Sequence, residues 1–290
     1  MHVCVSWMCD ELIKRADDRT DQPCGWQTAP MSTSPPQMRR PDRTSAILEQ
    51  LSQHGSVDVA ELAERFAVSQ ATLRRDLQIL EGQRLLRRTH GGATAHDVSY
   101  ELPIRYRHGQ QRDEKRRIAA EAVKRLPEGP SAIGLTGGTT TSEVARLLVE
   151  RTDLTVVTNA LNIAAELALR PRLKLVVTGG VSRSQSYELV GPWAEHTLRG
   201  VNVGLAIIGV DGISADGGLT THDEVEAHTN ATLIERAAVT VVVADGSKVG
   251  RVLLARIAGI ADVQELITDD SADPTALRHL RDAGLTVTVV

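Results

Sequence analysis

The run Val68-Ser69-Gln70-Ala71-Thr72-Leu73-Arg74-Arg75-Asp76-Leu77 decides how this 290-residue chain is read. Ser69 is a good N-cap, because its hydroxyl can accept from one of the free N–H groups at a helix start. Leu73, Leu77 and Leu80 follow at i, i+4 and i+7, so the spacing predicts a helix over 70–81 with an apolar stripe toward a core. Gln70, Thr72, Arg74, Arg75 and Gln78 are left for the outside. Upstream, Ala46, Ile47, Leu48 and Leu51 mark an amphipathic helix over 43–54, ended by Gly55. Val59, Leu62, Ala63 and Phe66 mark a second, over 58–66, and Ala67-Val68-Ser69 makes a tight turn. Two short helices, a three-residue turn and a third helix form the helix-turn-helix pattern. In it the second helix of the pair enters the major groove and its N-terminal residues reach base edges. Arginine pairs bidentately with guanine and glutamine with adenine, each pair giving about 1–3 kcal/mol of discrimination. Downstream, 85–93 reads as a strand and a Gly turn, a small wing carrying Arg87 and Arg88 toward phosphates. An isolated Arg pair is ordinarily a solvated surface; behind a Ser cap and a tight turn, and before a basic wing, it reads as a contact surface.

Charge agrees with that division. The whole chain is −4, yet residues 39–117 carry 15 Lys and Arg against 11 Asp and Glu, whereas 118–290 carry 15 against 21. The first part is therefore suited to a polyanion and the second is not. Length predicts two domains, and 41% hydrophobic with 24% charged residues is an ordinary globular balance. No apolar run is long enough to span a bilayer. Aromatic residues are only 2%, with Phe66 the sole phenylalanine, which argues against modules that stack bases on exposed rings.

The three cysteines, Cys4, Cys9 and Cys24, all lie near the N-terminus, a usage that suits a reducing, cytoplasmic compartment. With His2 they fall short of four well-spaced metal ligands, and no metal or cofactor is expected. The apolar stretch over 3–9 has no basic residues before it and ends at Asp10-Glu11, so it does not read as a signal peptide. Five of the eleven prolines fall between Pro23 and Pro41, and residues 1–38 read as a disordered tail. Met31 and Met38 stand just before the ordered pattern, so translation starting after the first 30 or so residues is a further expectation, to be checked by intact mass.

From Lys115 the pattern changes. A helix over 117–126 closes at Pro127 and Gly129, a short buried strand covers 131–136, and a helix covers 142–150. Between the last two sits Gly137-Gly138-Thr139-Thr140-Thr141, a Gly-rich turn at a helix start, where free N–H groups and the helix dipole favour an anion. Neither a P-loop lysine nor a third glycine follows, so this is not a nucleotide fingerprint. Further strands are expected over 154–157, 173–177, 203–209, 240–244, 265–268 and 285–290, separated by helical spacers. Such alternation means a mainly parallel α/β sheet with ligands at the C-terminal strand ends. There stand Thr158-Asn159, Thr178-Gly179-Gly180, Asp211-Gly212 and Asp245-Gly246-Ser247-Lys248, with Glu224 in the long loop between. For any one of these, ordinary turn chemistry is an equal alternative.

Residues 43–93, with Thr72-Leu73-Arg74-Arg75-Asp76-Leu77 and Arg88-Thr89-His90-Gly91-Gly92-Ala93, closely resemble the N-terminal signature of the DeoR family of bacterial transcriptional regulators. Gly138-Thr139-Thr140, Val157-Thr158-Asn159-Ala160-Leu161, Thr178-Gly179-Gly180, Gly209-Val210-Asp211-Gly212, Gly218-Leu219-Thr220 and Asp245-Gly246-Ser247-Lys248 resemble its C-terminal sensor domain, so the likeness runs over 43–290. It implies a winged helix-turn-helix over 39–94, a linker over 95–115 and, over 116–290, a larger α/β domain similar to ribose-5-phosphate isomerase-like folds. By the same resemblance Ser69, Gln70, Thr72, Arg74, Arg75, Arg88 and His90 would meet a double-stranded operator. Gly137, Gly138, Thr139, Thr140, Thr141, Asn159, Gly179, Gly180, Asp211, Gly212, Glu224 and Lys248 would form the site for a phosphorylated sugar or related metabolite, which would loosen a repressor from carbohydrate genes. One position departs from the family pattern: Thr136 stands where an aspartate is usual.

The rival reading is a sugar-phosphate isomerase-like enzyme with a basic appendage, with Asp211, Glu224, Asp245 and Lys248 supplying base and electrophile. Function follows from the site and not the fold, and a DNA reader joined to a sensor favours regulation without catalysis. A homo-oligomer is expected, because such readers gain affinity from two half-sites about one helical turn apart.

Overall fold

The computed structural model describes residues 38–83, 85–95, 101–107 and 110–290. The expected tail, Met38 apart, and positions 96–100 and 108–109 of the expected linker lie outside the described residues.

The chain opens with α1 (Arg40–His54), β1 (Ser56–Asp58), α2 (Val59–Arg65), α3 (Gln70–Gly82), β2 (Arg87–Arg88) and β3 (Gly92–Thr94). Each boundary has a local cause. Gly55 takes a left-handed φ of 73° and its N–H donates to Leu51 O at 2.8 Å, closing α1. Asp58 accepts from the N–H groups of Ala60 and Glu61 to start α2, and Ser69 Oγ accepts from Thr72 N–H at 3.2 Å to start α3. The three strands pair antiparallel in the order β1-β3-β2. Gly92 is required there, because a Cβ would lie 1.8 Å from Val57 O. One core joins the helices to the wing, with Leu48, Leu51, Phe66, Leu73, Leu77 and Leu86 buried together. Each such side chain contributes about 1.5–3 kcal/mol of burial.

A short helix, α4 (Ile104–Arg107), leads to α5 (Arg112–Ala122) and the second domain. Its central strands are β4 (Ser131–Leu135), β5 (Leu154–Thr158), β6 (Lys174–Val177), β9 (Val203–Gly209), β12 (Ala237–Val243), β14 (Glu265–Thr268) and β15 (Thr286–Val289). They form one sheet in the order β15-β14-β12-β9-β4-β5-β6, with every pair parallel. Successive strand residues point to opposite faces, and a parallel sheet needs both covered. Ile133, Leu205, Ile207 and Val241 pack with Ile118 of α5 and with α6 (Thr139–Leu147) and α7 (Leu161–Leu167). Ala206, Ile208 and Val242 pack against α8 (Pro192–Arg199), α9 (Glu224–Glu235) and α10 (Pro274–Asp282) through Leu198, Leu233 and Leu280.

Two small additions are absent from the sequence reading: a hairpin of β7 (Val181–Arg183) with β8 (Glu188–Val190), and a sheet of β10 (Gly212–Ser214), β11 (Gly218–Thr221) and β13 (Ala255–Ala258). Strands of three or four residues carry too little periodicity to be seen. Two helix starts also differ. The helix expected from 117 begins at Arg112, because its first turn is charged and lacks an apolar mark. The helix expected from 142 begins at Thr139; β-branched threonines are poor helix formers, but Thr140 and Thr141 are buried, and packing overrides propensity.

The topology fixes where a ligand would go. From β4 the chain moves outward through β5 and β6 on one side and through β9, β12, β14 and β15 on the other. The crevice above the C-terminal ends of β4 and β9 is thus a switch point, the place where open α/β sheets hold ligands. Gly209 lets its walls close, since a Cβ there would lie 2.7 Å from Gly137 O.

Candidate functional site

The first candidate surface is the outer face of α3 and the wing. Ser69, Gln70, Arg74, Arg75 and Gln78 are exposed and Thr72 is half-buried, while Arg87, Arg88 and His90 are exposed on the wing. Several of these groups are already engaged. Ser69 Oγ is the helix cap and lies 2.9 Å from Thr72 Oγ1. Arg74 Nη2 donates to Gln70 Oε1 at 3.1 Å, which holds the two long side chains over the first turns of α3. Arg88 leans on Glu81, with Nη1 3.8 Å from its carboxylate.

Sequence reasoning missed what orients this helix. Asp76, on its inner face, accepts from Arg43 Nε at 2.6 Å, and the two side chains are 3% and 7% exposed. Arg43 Nη1 also donates to Met38 O at 2.7 Å. An ion pair inside the core thereby ties α3 to α1. The available signal was an acidic residue flanked by Arg75 and Leu77 on the buried stripe.

The second site is the crevice above β4 and β9. Gly137, Gly138, Thr139, Thr140, Asp211 and Lys248 line it, together with Arg107, Lys115, Glu188, Thr221, Glu226 and Asp245. Of the expected ligand residues, six are elsewhere. Thr141 Oγ1 donates back to Gly138 O at 3.1 Å. Asn159 lies behind the wall, donating to Asn230 Oδ1 at 3.1 Å; Asn230 in turn donates to Glu188 Oε2 at 3.2 Å. Gly179 and Gly180 form the turn from β6 into β7, and Gly212 opens β10. Glu224 is exposed at the start of α9, and Glu226, two residues on, lines the crevice. Glu226, Asn230 and Leu233 recur at i, i+4 and i+7, a stripe the sequence offered once the helix start was known.

Thr136 is fully buried, and its Oγ1 accepts from Gly209 N–H at 3.0 Å, bridging β4 and β9. The carboxylate at the turn comes from β8: Gly137 N–H donates to Glu188 Oε1 at 2.6 Å. Opposite, Arg107 Nη1 donates to Asp211 Oδ1 at 2.7 Å and Lys248 Nζ stands 3.8 Å from the same oxygen. Thr221 Oγ1 lies 2.7 Å from Glu226 Oε1 and 3.2 Å from Asp211 Oδ2.

Burial and charge set the protonation of this wall. Burial pushes the Glu188 carboxyl well above its ordinary value, and the nearby charge of Glu226 adds to the rise. Glu226 is raised too, by burial first and then by Asp211, against its hydrogen bonds and the pull of Arg183. Burial would also raise Asp211, but Arg107, Lys248 and His222 together outweigh it and hold this carboxyl below the usual carboxylate range. Burial lowers the Lys115 ammonium to about 8, despite Asp245 at 3.7 Å. The crevice thus sets a Gly-rich turn at a helix start and three cationic side chains beside carboxyl groups suited to hydroxyls. Among the described residues no cluster of His, Cys, Asp or Glu could hold a metal ion, and no helix is long and apolar enough to cross a membrane.

Comparison with known proteins matches both parts. Residues 43–98 fit the model of the DeoR-like helix-turn-helix domain, and residues 110–270 that of the DeoR C terminal sensor domain. A glycerol-3-phosphate regulon repressor of Escherichia coli is 33% identical over 245 residues, spanning 84% of this chain and 97% of the relative. The HTH-type transcriptional regulator GlpR of Haloferax volcanii is 35% identical over 247 residues, spanning 85% of this chain and 96% of its own. Among solved structures, a ribose 5-phosphate isomerase A of Methanocaldococcus jannaschii aligns over 50% of this chain and 56% of its own, with 21% identity and a TM-score of 0.36.

Proposed function

The chain belongs to the DeoR family of transcriptional regulators and is a DNA-binding regulator, not an enzyme; from that premise we propose that it represses carbohydrate-metabolism genes and releases its operator when a phosphorylated sugar enters the crevice above β4 and β9. We assign operator reading to 39–94, the connection to 95–115 and sensing to 116–290. The observation that carries the ligand class is the composition of the crevice. The turn 138–140 brings the start of α6 to the crevice, Arg107, Lys115 and Lys248 supply positive charge, and the carboxyl groups of Asp211, Glu188 and Glu226 line the same crevice for hydroxyls. A dianion with several hydroxyls fits that set of donors and acceptors. The name of the Escherichia coli relative, which refers to a glycerol-3-phosphate regulon, points to the same chemistry.

On the operator, Arg74, Arg75 and Gln70 read bases, Ser69 sets the helix start, and Thr72, Arg88 and His90 position the backbone. Two copies engage two half-sites about one helical turn apart, in the cytoplasm. Glu188 takes over the task of a turn carboxylate that Thr136 cannot perform, which alters the hydroxyl or anion recognised there.

The test is fluorescence anisotropy of the protein on its own upstream DNA at fixed salt, with and without a panel of phosphorylated sugars. Specific binding weakened by one compound is expected and identifies the effector. Specific binding that every compound leaves unchanged would overturn the ligand class.

A further inference from the structure

Residues 101–107 join the two domains, and neighbouring side chains in this segment belong to different ones. Leu102 is buried in the apolar core of the DNA-reading domain, and Tyr106 packs against it. Tyr106 Oη also donates to Gln83 Oε1 at 2.7 Å. Gln83 is the C-terminal cap of the reading helix, its N–H closing on Ile79 O at 3.0 Å. Arg107, the next residue, turns the other way. Its Nη1 donates to Asp211 in the crevice, its backbone O accepts from Lys115 Nζ at 3.3 Å, and its Nε is buried with no acceptor. Ile104 N–H meanwhile donates to Gln185 O at 2.7 Å, pinning α4 to the hairpin that carries Glu188.

Positions 106 and 107 are separated by one helical step, about 1.5 Å along the axis. A shift of the backbone at one is therefore a shift at the other. A guanidinium presents five donors in a planar fork that fits a phosphate better than the single oxygens that Asp211, at 2.7 Å, and Glu101, at 3.8 Å, set against Arg107, and an orphaned buried donor marks a position that a ligand oxygen would complete.

We infer that Arg107 is itself a ligand-binding residue, exchanging Asp211 for the phosphate of a phosphorylated sugar, and that Tyr106 passes the resulting movement of α4 to the end of the reading helix through Gln83. This rests on the reading of the crevice as a phosphosugar site. Asp211, once released, turns to the sugar hydroxyls beside Thr221 and Lys248. The two arrangements of α4 differ in which anion Arg107 holds, which gives the ligand a different affinity for each, as coupling requires.

The test is amide hydrogen exchange on the full chain, with inorganic phosphate as the probe, for the native protein and the variants Tyr106→Phe and Arg107→Lys. In the native protein phosphate is expected to slow exchange over 137–141 and to change it at 79–83 and 101–107. Tyr106→Phe, which removes one hydroxyl, should keep the first response and lose that at 79–83. Arg107→Lys keeps the charge without the fork and should weaken phosphate binding about tenfold. A response at 137–141 with none at 79–83 in the native protein would overturn the relay and leave the crevice reading intact. Undiminished transmission in Tyr106→Phe would overturn it likewise, and undiminished affinity in Arg107→Lys would remove Arg107 as a ligand. Absence of any response at 137–141 would overturn the crevice reading and this inference with it.

Discussion

Replacing Asp76 with asparagine removes one charge from inside the reading domain while keeping size and shape. Asp76 and Arg43 are 2.6 Å apart at Oδ2 and Nε, and neither side chain is more than 7% exposed. With charge centres about 3 Å apart and an effective dielectric constant of about 20, their attraction is on the order of 5 kcal/mol. Desolvation of the two ions offsets much of that, so the pair itself adds little to stability. Removal of one partner is a different matter, because Arg43 is then buried without its counter-charge. Arg40, 3.5 Å from the other Asp76 oxygen, loses its partner as well. The expected cost is about 3–5 kcal/mol. A domain of this size is stable by roughly 3–9 kcal/mol, so Asp76→Asn should leave it close to unfolding. Native-state hydrogen exchange reads this locally: protection in α1 and α3 should fall by at least about a hundredfold, while protection in β4, β9 and β12 stays. The paired substitution Arg43→Met with Asp76→Leu should recover most of the loss, since a buried ion pair can be replaced by apolar groups at little cost. Protection of α3 within about twofold of the native value in Asp76→Asn would refute the claim that this charge pair holds the reading helix.

Arg75→Ala is expected to cost about 1–3 kcal/mol and to relax discrimination at one base pair, whereas Arg88→Ala should weaken binding to every sequence and reduce the salt slope by about 1; anisotropy titrations across salt on matched and mismatched duplexes separate the two. Lys115 loses its proton at about 8 when folded, against an ordinary 10.5. Between those values the unfolded chain holds a proton that the folded chain has released, so stability rises with pH; Lys115→Met should abolish that rise in urea titrations. Glu188 is raised in the folded state, so its contribution falls as pH climbs from the ordinary 4.5 toward the raised value. Glu188→Gln keeps an acceptor for Gly137 N–H and should flatten that decline; an unchanged pH profile would place Glu188 outside the titrating wall. Lys248→Ala should bind operator normally and lose the effector response, and a retained response would remove it from the site.

The crevice illustrates how a regulator can reuse an α/β switch point without catalysing a reaction. Its carboxyl groups are committed to partners within the chain: Asp211 to Arg107 and Thr221, Glu188 to Gly137 and Asn230, Glu226 to Thr221 and Arg183.

The reading helix was legible because its determinants are local. A Ser cap and a leucine stripe of period 3.6 lie within a few residues of one another, and each acts on the backbone beside it. The Gly-rich turn and the alternation of strands and helices were legible for the same reason. Sequence alone does not separate Glu224 from Glu226 as a crevice residue, because the face a helical residue presents depends on where the helix begins, and Asp223 sets that start by accepting from Val225 and Glu226 N–H. Arg107 and Glu188 went unnoticed in an expected linker and an unrecognised hairpin. Their importance comes from partners 104 and 51 residues away in the chain. The sequence by itself determined the helix-turn-helix, its exposed arginines and the positions along the chain of the seven main strands, all consequences of short-range periodicity and capping. Only the tertiary structure decided which carboxyl faces which cation, and that Tyr106 and Arg107 look into different domains, because burial and pairing are set by what the fold brings from far along the chain.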